Sequence, residues 1–158
     1  MGTVVSSDKM APDRSHHMSL AEVRWIDIPH SDDDRGTLTV IEESALPFPL
    51  KRIFYMHRVP DALERGGHAH RWTQQLAVAA SGRFAMDLFD GERSATYVLE
   101  DPNRGLYLPA MMWMRLYGFA AGTVALVVCD RTYDAGAVIR DRDTYCRLRR
   151  DDGLDDLS

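Results

Sequence analysis

The chain has 158 residues, 45% of them hydrophobic and 27% charged, with a formal net charge of −5. That length makes one domain, and the composition is that of a water-facing globular protein. The acidic balance excludes a global basic field for nucleic acid, so an anionic ligand would have to be held by local arginines.

Arginines are abundant, because only Lys9 and Lys51 among the 19 basic residues are lysines. A GC-rich genome produces that bias as readily as a ligand does. At the N-terminus, Met1 to Ser19 is polar, broken by Pro12 and without a signal-peptide core, and reads as a disordered arm. His16 and His17 in this arm are left out of the candidate site. No apolar stretch has the length to cross a bilayer. The two cysteines, Cys129 and Cys146, are too few for a disulfide framework and read as reduced thiols of a cytoplasmic protein.

Residues 20–149 read as the folded unit, built from short strand-like runs separated by turn chemistry. Val23 to Ile28 alternates as a strand, and His30 to Gly36 reads as a polar loop. Thr37 to Glu42 is a second strand, after which Pro47 and Pro49 bracket a connection into Arg52–His57. The run Gln75 to Ala80 is apolar and ends at Gly82. Phe84, Met86 and Leu88 alternate up to Asp90-Gly91, a hairpin dipeptide, and Thr96 to Leu99 returns from it. Gly105 to Leu108, Trp113 to Phe119 and Thr123 to Cys129 complete the series. Asp143 to Arg149 is the one stretch with helical character, and residues 150–158 read as an acidic, flexible tail. Roughly eight to ten short strands at close spacing predict an all-β sandwich or barrel.

The chemistry concentrates in Glu64-Arg-Gly-Gly-His-Ala-His-Arg-Trp-Thr-Gln-Gln75. Side chains alternate along a strand, so His68 and His70 share a face and would meet in the lumen of a barrel. An isolated His-x-His pair arises freely by chance. Here four residues separate His70 from Gln75, and six more lead to Gly82. That spacing is similar to the first cupin motif, with Gln75 standing where a metal-binding Glu would be. In the region of the second motif, Gly105 and Pro109 are present, but Met111-Met-Trp-Met114 contains no histidine. Two imidazoles and an amide are a poor ligand set for a metal, which leaves both histidines for acid/base work.

Longer blocks carry a closer resemblance. Arg35-Gly-Thr-Leu38, Pro47-Phe-Pro-Leu-Lys-Arg-Ile-Phe-Tyr55, Arg65-Gly-Gly-His-Ala-His70, Asp101-Pro-Asn-Arg-Gly-Leu-Tyr-Leu-Pro109, Trp113 and the closing Tyr133 to Asp143 are involved. Together they resemble the dTDP-4-dehydro-6-deoxyglucose 3,4-ketoisomerases, the FdtA/QdtA group of WxcM-like cupins. The resemblance runs from about Val23 to Tyr145. It implies a single-domain cupin (a double-stranded β-helix or jelly roll), homodimeric and without metal or other cofactor. It also implies an enzyme that moves the ketone of a dTDP-linked 6-deoxyhexose from C4 to C3, after which an aminotransferase installs an amine at C3.

That reaction removes the proton on C3, passes through an enediol and delivers a proton to C4. Histidine suits such shuttling near neutral pH. By position in the resemblance, His70 is the expected base at C3, with His68 orienting it or relaying protons; the sequence does not divide these roles further. Tyr55 would polarise the ketone or pass a proton, and Arg65 would stabilise the oxyanion. The diphosphate calls for arginine forks, with Arg35 and Arg65 as first candidates and Lys51 or Arg52 after them. Trp72 or Trp113 would stack on thymine or else pack in the core. Gln75 would bond the sugar or a histidine. Met114 stands where relatives often carry a polar residue, which would reshape the sugar pocket. The competing readings are a metal-dependent or epimerase-like cupin enzyme, and a non-catalytic cupin that binds a nucleotide sugar.

Overall fold

A computed structural model describes residues 18–154. The N-terminal arm, apart from its last two residues, and the end of the tail therefore lie outside the described residues. Twelve strands and one α-helix follow in chain order. They are β1 (Arg24–Asp27), β2 (His30–Asp33), β3 (Gly36–Thr39), β4 (Arg52–His57), β5 (Arg65–His70), β6 (Gln75–Ser81) and β7 (Phe84–Phe89). Then come β8 (Ser94–Leu99), β9 (Arg104–Leu108), β10 (Trp113–Tyr117), β11 (Val124–Cys129), β12 (Val138–Ile139) and α1 (Arg142–Leu154).

Two five-stranded antiparallel sheets face each other, in the orders β1-β9-β6-β11-β4 and β12-β5-β10-β7-β8. Neighbours in each sheet are mostly distant in sequence, the connectivity of a jelly-roll cupin. The core lies between the sheets. Ala77, Leu106, Leu108, Ala125 and Val127 from the first sheet meet Phe84, Met86, Leu88, Met114 and Leu116 from the second. Alternation explains this assignment on β7, where Phe84, Met86 and Leu88 are buried and the residues between them are only half-buried.

Strand β6 lacks alternation because both of its faces are covered. Leu76 and Val78 point outward, under Ile28, Phe48 and neighbouring apolar residues of the segment before β4. The outer face of the second sheet is closed by α1. Tyr145 is fully buried there among Ala69, Met111 and Ile139, with Trp113 and Phe89 alongside. Its hydroxyl donates to the carbonyls of Phe89 and Met111 at 2.8 and 2.9 Å. The helix begins one residue before the predicted stretch and runs beyond it, through Leu154, into the segment read as a tail.

The Asp90-Gly91 turn joins β7 to β8. Gly91 adopts φ +101°, a conformation that L side chains rarely adopt. The Asp90 carboxylate accepts from the amides of Glu92, Arg93 and Leu20, so the turn also fastens the start of the folded unit. These three bonds hold the carboxyl below the usual range against the opposing effect of burial.

The region read as a polar loop, His30 to Gly36, corrects the sequence reading. It forms strand β2 and the turn into β3, a separate two-stranded sheet in which Asp32 lies opposite Thr37. Every residue of β2 is exposed, so no apolar alternation marks it as a strand.

Candidate active site

A cavity of about 110 Å³ opens between the sheets. His68, His70, Gln75 and Arg65 supply its polar lining, and the apolar wall includes Phe54, Met86 and Met114. Strand β5 carries three of these polar residues, and its geometry departs from simple alternation. Against β10, Met114 pairs with His68, but Arg115 pairs with Gly66 and Leu116 with Arg65. One extra residue on β5 therefore faces a single step on β10, which is a β-bulge. Gly66 and Gly67 take φ +85° and +72° to accommodate it. At Gly66 a Cβ would lie 2.9 Å from the Met114 carbonyl oxygen. Directly opposed residues of an antiparallel pair share a face. Met114 and Leu116, two apart, thus bring His68 and Arg65, three apart, to the same cavity. The bulge adds an arginine to a face that alternation alone would have given only to the histidines.

The two imidazoles meet edge to face, with Nε2 of His68 3.2 Å from Nε2 of His70. One proton can sit between these nitrogens; protonating both rings would set two cations side by side. Burial pushes the His70 imidazole down to about 4, helped by the nearby charges of His68, Arg52 and Arg140. His68 is lowered as well, again chiefly by burial, with Arg140 and Arg65 adding to it. The Gly66 backbone pulls the other way without completing a hydrogen bond to Nδ1 of His68, which is buried and unpartnered. Both rings are therefore neutral at pH 7 and able to accept a proton.

Gln75 is buried and points its Nε2 at the Cys129 sulfur, 3.7 Å away. Among the described residues, no three side chains of His, Cys, Asp and Glu come together to hold a metal ion.

Other residues expected in the site fall elsewhere. Tyr55 is 62% exposed on the outer face of β4, because alternation turns Arg52, Phe54 and Met56 inward. The ring on the cavity wall is Phe54, which has no hydroxyl. Lys51 is exposed and does not line the cavity. Arg35 projects from the β2–β3 turn and pairs with Asp33 of its own hairpin, so within one chain it is outside the cavity. Trp113 turns away from the lumen, because its neighbour Met114 faces inward; it packs against Tyr145, 5.5 Å between ring centroids, under α1. Trp72 lies on the loop after β5 with the Arg71 guanidinium over its ring, also outside the cavity lining.

Arg52, expected after Arg35 and Arg65 as a diphosphate ligand, is likewise not part of the cavity lining but lies close to it. It sits at the inward start of β4, donates to the Cys129 sulfur and stacks over Phe54 and Tyr133. Tyr133 and Arg140 went without a role in the sequence reading, although both belong to its closing block. What brings them to the site is β12, too short to read from sequence.

A jelly-roll barrel with two histidines of one strand turned into its cavity defines a cupin. The comparisons give the family. The family model described as FdtA: WxcM-like, C-terminal matches residues 21–150, and the chain belongs to that family. It is 32% identical over 114 residues to the TDP-4-oxo-6-deoxy-alpha-D-glucose-3,4-oxoisomerase of Aneurinibacillus thermoaerophilus, covering 72% of this chain and 82% of that one. Among solved structures it resembles the sugar 3,4-ketoisomerase QdtA of Thermoanaerobacterium thermosaccharolyticum in complex with TDP. That match has a TM-score of 0.81 and 30% identity, over 84% of this chain and 98% of the other. A 3,4-ketoisomerase from Helicobacter canadensis matches with a TM-score of 0.79 and 29% identity, over 82% and 98% of the two chains.

Proposed function

We propose that this protein is a sugar-nucleotide 3,4-ketoisomerase, acting on a dTDP-linked 4-keto-6-deoxyhexose without a metal ion. The observation that carries the reading is the neutral His68–His70 pair in a cavity otherwise walled by apolar side chains, in a chain of this family. The relatives whose names specify this reaction supply the substrate class.

In this reading His70 removes the C3 proton, which the adjacent C4 ketone makes acidic, and an enediolate forms across C3 and C4. Arg65, brought to the same face by the bulge, stabilises the oxyanion. The proton taken by His70 is shared with His68 across their facing nitrogens and exchanges there with solvent before a proton is returned. The pair returns a proton to C4 while the C3 hydroxyl proton passes to O4, leaving the ketone at C3 and a hydroxyl at C4. Every proton removed is replaced, so the reaction needs no oxidant or reductant. Gln75 orients the sugar from the cavity wall, and Met114 shapes the pocket beside it. With Phe54 on the wall where a tyrosine was expected, proton handling falls to the histidines alone.

The test is turnover of dTDP-4-dehydro-6-deoxyglucose by chelator-treated protein. Wild type forms the 3-keto sugar, His70→Asn loses on the order of a hundredfold or more of the rate, and His68→Asn loses rate too. Activity that requires added metal would return Gln75 and the histidines to a metal centre and sink the metal-free reading.

A further inference from the structure

The outer face of the second sheet carries a charged row that the proposed chemistry leaves unused. On β10, Met114 and Leu116 face the cavity, so Arg115 between them points to the outside. It stands opposite Gly66 of β5 on one side and Asp87 of β7 on the other. Its guanidinium lies 4.5 Å from the Tyr117 ring centroid. From there Nη1 donates to Oε1 of Glu64 at 2.8 Å and Nη2 donates to Oδ2 of Asp87 at 2.5 Å. Asp87 also accepts from the hydroxyls of Thr96 and Tyr117, at 2.7 and 3.0 Å. Burial alone would raise the Asp87 carboxyl, but its bonds to Arg115, Thr96 and Tyr117 prevail and hold it below the usual carboxylate range.

Glu64 is the residue immediately before β5. In the bulged register it bonds on the outer face, while Arg65, opposite Leu116, lines the cavity. Pairing continued from Met114–His68 without the extra residue would set Arg65 opposite Tyr117 instead, on the outer face. Glu64 would then turn inward, and the cavity would exchange a guanidinium for a carboxylate. Gly66 and Gly67 have no side chains with which to fix a register of their own. Arg115 opposes the exchange twice: it holds Glu64 outside, and it would repel Arg65 brought to the same face. Each of these half-exposed ion pairs contributes little alone. What they decide together is which of two registers a glycine-rich strand adopts.

We propose that Arg115 is a positioning residue for the isomerisation: by tying Glu64 to Asp87 across the outer face, it holds β5 in its bulged register and keeps Arg65 in the cavity. This rests on the reading above, in which Arg65 stabilises the enediolate. Arg115 acts only through Arg65, from the opposite side of the sheet.

The test is a kinetic double-mutant cycle of Arg115→Gln and Arg65→Gln on the keto-sugar. Arg115→Lys, Glu64→Ala and, as a control, Arg83→Gln, which breaks an exposed ion pair with Glu100, run alongside. Arg115→Gln lowers kcat roughly fivefold, Arg115→Lys recovers part of the loss, Glu64→Ala loses a smaller share, and Arg83→Gln turns over as wild type does. Arg65→Gln has already lost what Arg115 protects, so adding Arg115→Gln to it changes kcat by less than about twofold. A merely structural loss would repeat in full on that background and overturn the role. Wild-type kcat in both Arg115→Gln and Glu64→Ala overturns it too. Should Arg115→Gln not fold, the cycle of Glu64→Ala with Arg65→Gln makes the same comparison from the other end of the bond. Active wild type with either overturning result leaves the ketoisomerase reading standing, whereas wild type that does not turn over the sugar removes both.

Discussion

A histidine that burial holds neutral is ready to take a proton at any pH above its own lowered value. His70, pushed to about 4, should keep its base form well below the ordinary histidine value of 6.5. The acid limb of kcat/KM is therefore expected to fall as pH drops toward 4, rather than near 6.5. A pH–rate profile checks this, with the apparent value belonging to the His68–His70 pair as a unit. The same shift acts on stability. Unfolding frees His70 to bind a proton more readily than the folded protein allows. Its contribution is therefore complete above about pH 6.5 and is lost as pH falls through 6.5 toward 4. His70→Asn should flatten that part of the acid dependence of the urea midpoint; an unchanged slope would show that other groups carry it.

At the scale of single elements, β5 decides what the cavity contains. Gly66→Ala must place a Cβ against the Met114 carbonyl at φ +85°, whereas Gly67→Ala meets nothing within 4 Å at φ +72°. The first is expected to cost about 2–3 kcal/mol and to lower activity by straightening the bulge. The second costs only the left-handed backbone, about 1–2 kcal/mol. Urea unfolding of the two variants separates these effects. Tyr145→Phe tests the docking of α1: two buried carbonyls lose their shared donor, at an expected cost of about 1–3 kcal/mol. Strand β7 was legible because Phe84, Met86 and Leu88 alternate, and the His-x-His spacing placed both imidazoles on one face. Three features were not legible. Strand β2 is exposed on every residue, β12 is two residues long, and the bulge changes which face Arg65 occupies. The paired glycines before His68 signalled an unusual backbone there, but not its consequence for Arg65. Tyr55 was misplaced for the opposite reason, since the alternation of β4, followed from Arg52, already turns it outward.

For the molecule as a whole, the sheet order leaves β4 at an edge. Its outer face shows Ile53 and Tyr55, 50% and 62% exposed, while Leu38 on β3 is 64% exposed. Unpaired edges and exposed apolar residues of this kind favour association, in line with the homodimer that the family resemblance implies. Sedimentation should show a dimer, and Leu38→Asp combined with Ile53→Asp should shift it toward monomer; a wild-type monomer would refute that assembly. Turnover depends most on whether the proton path runs from C3 to C4. The most direct measurement is NMR of the sugar after chelator-treated protein acts on dTDP-4-dehydro-6-deoxyglucose in deuterated buffer. The account predicts a 3-keto product carrying deuterium at C4, with the signal lost in His70→Asn. A sugar that keeps its C4 ketone while dTDP still binds would contradict it and leave this chain a binding protein for a nucleotide sugar.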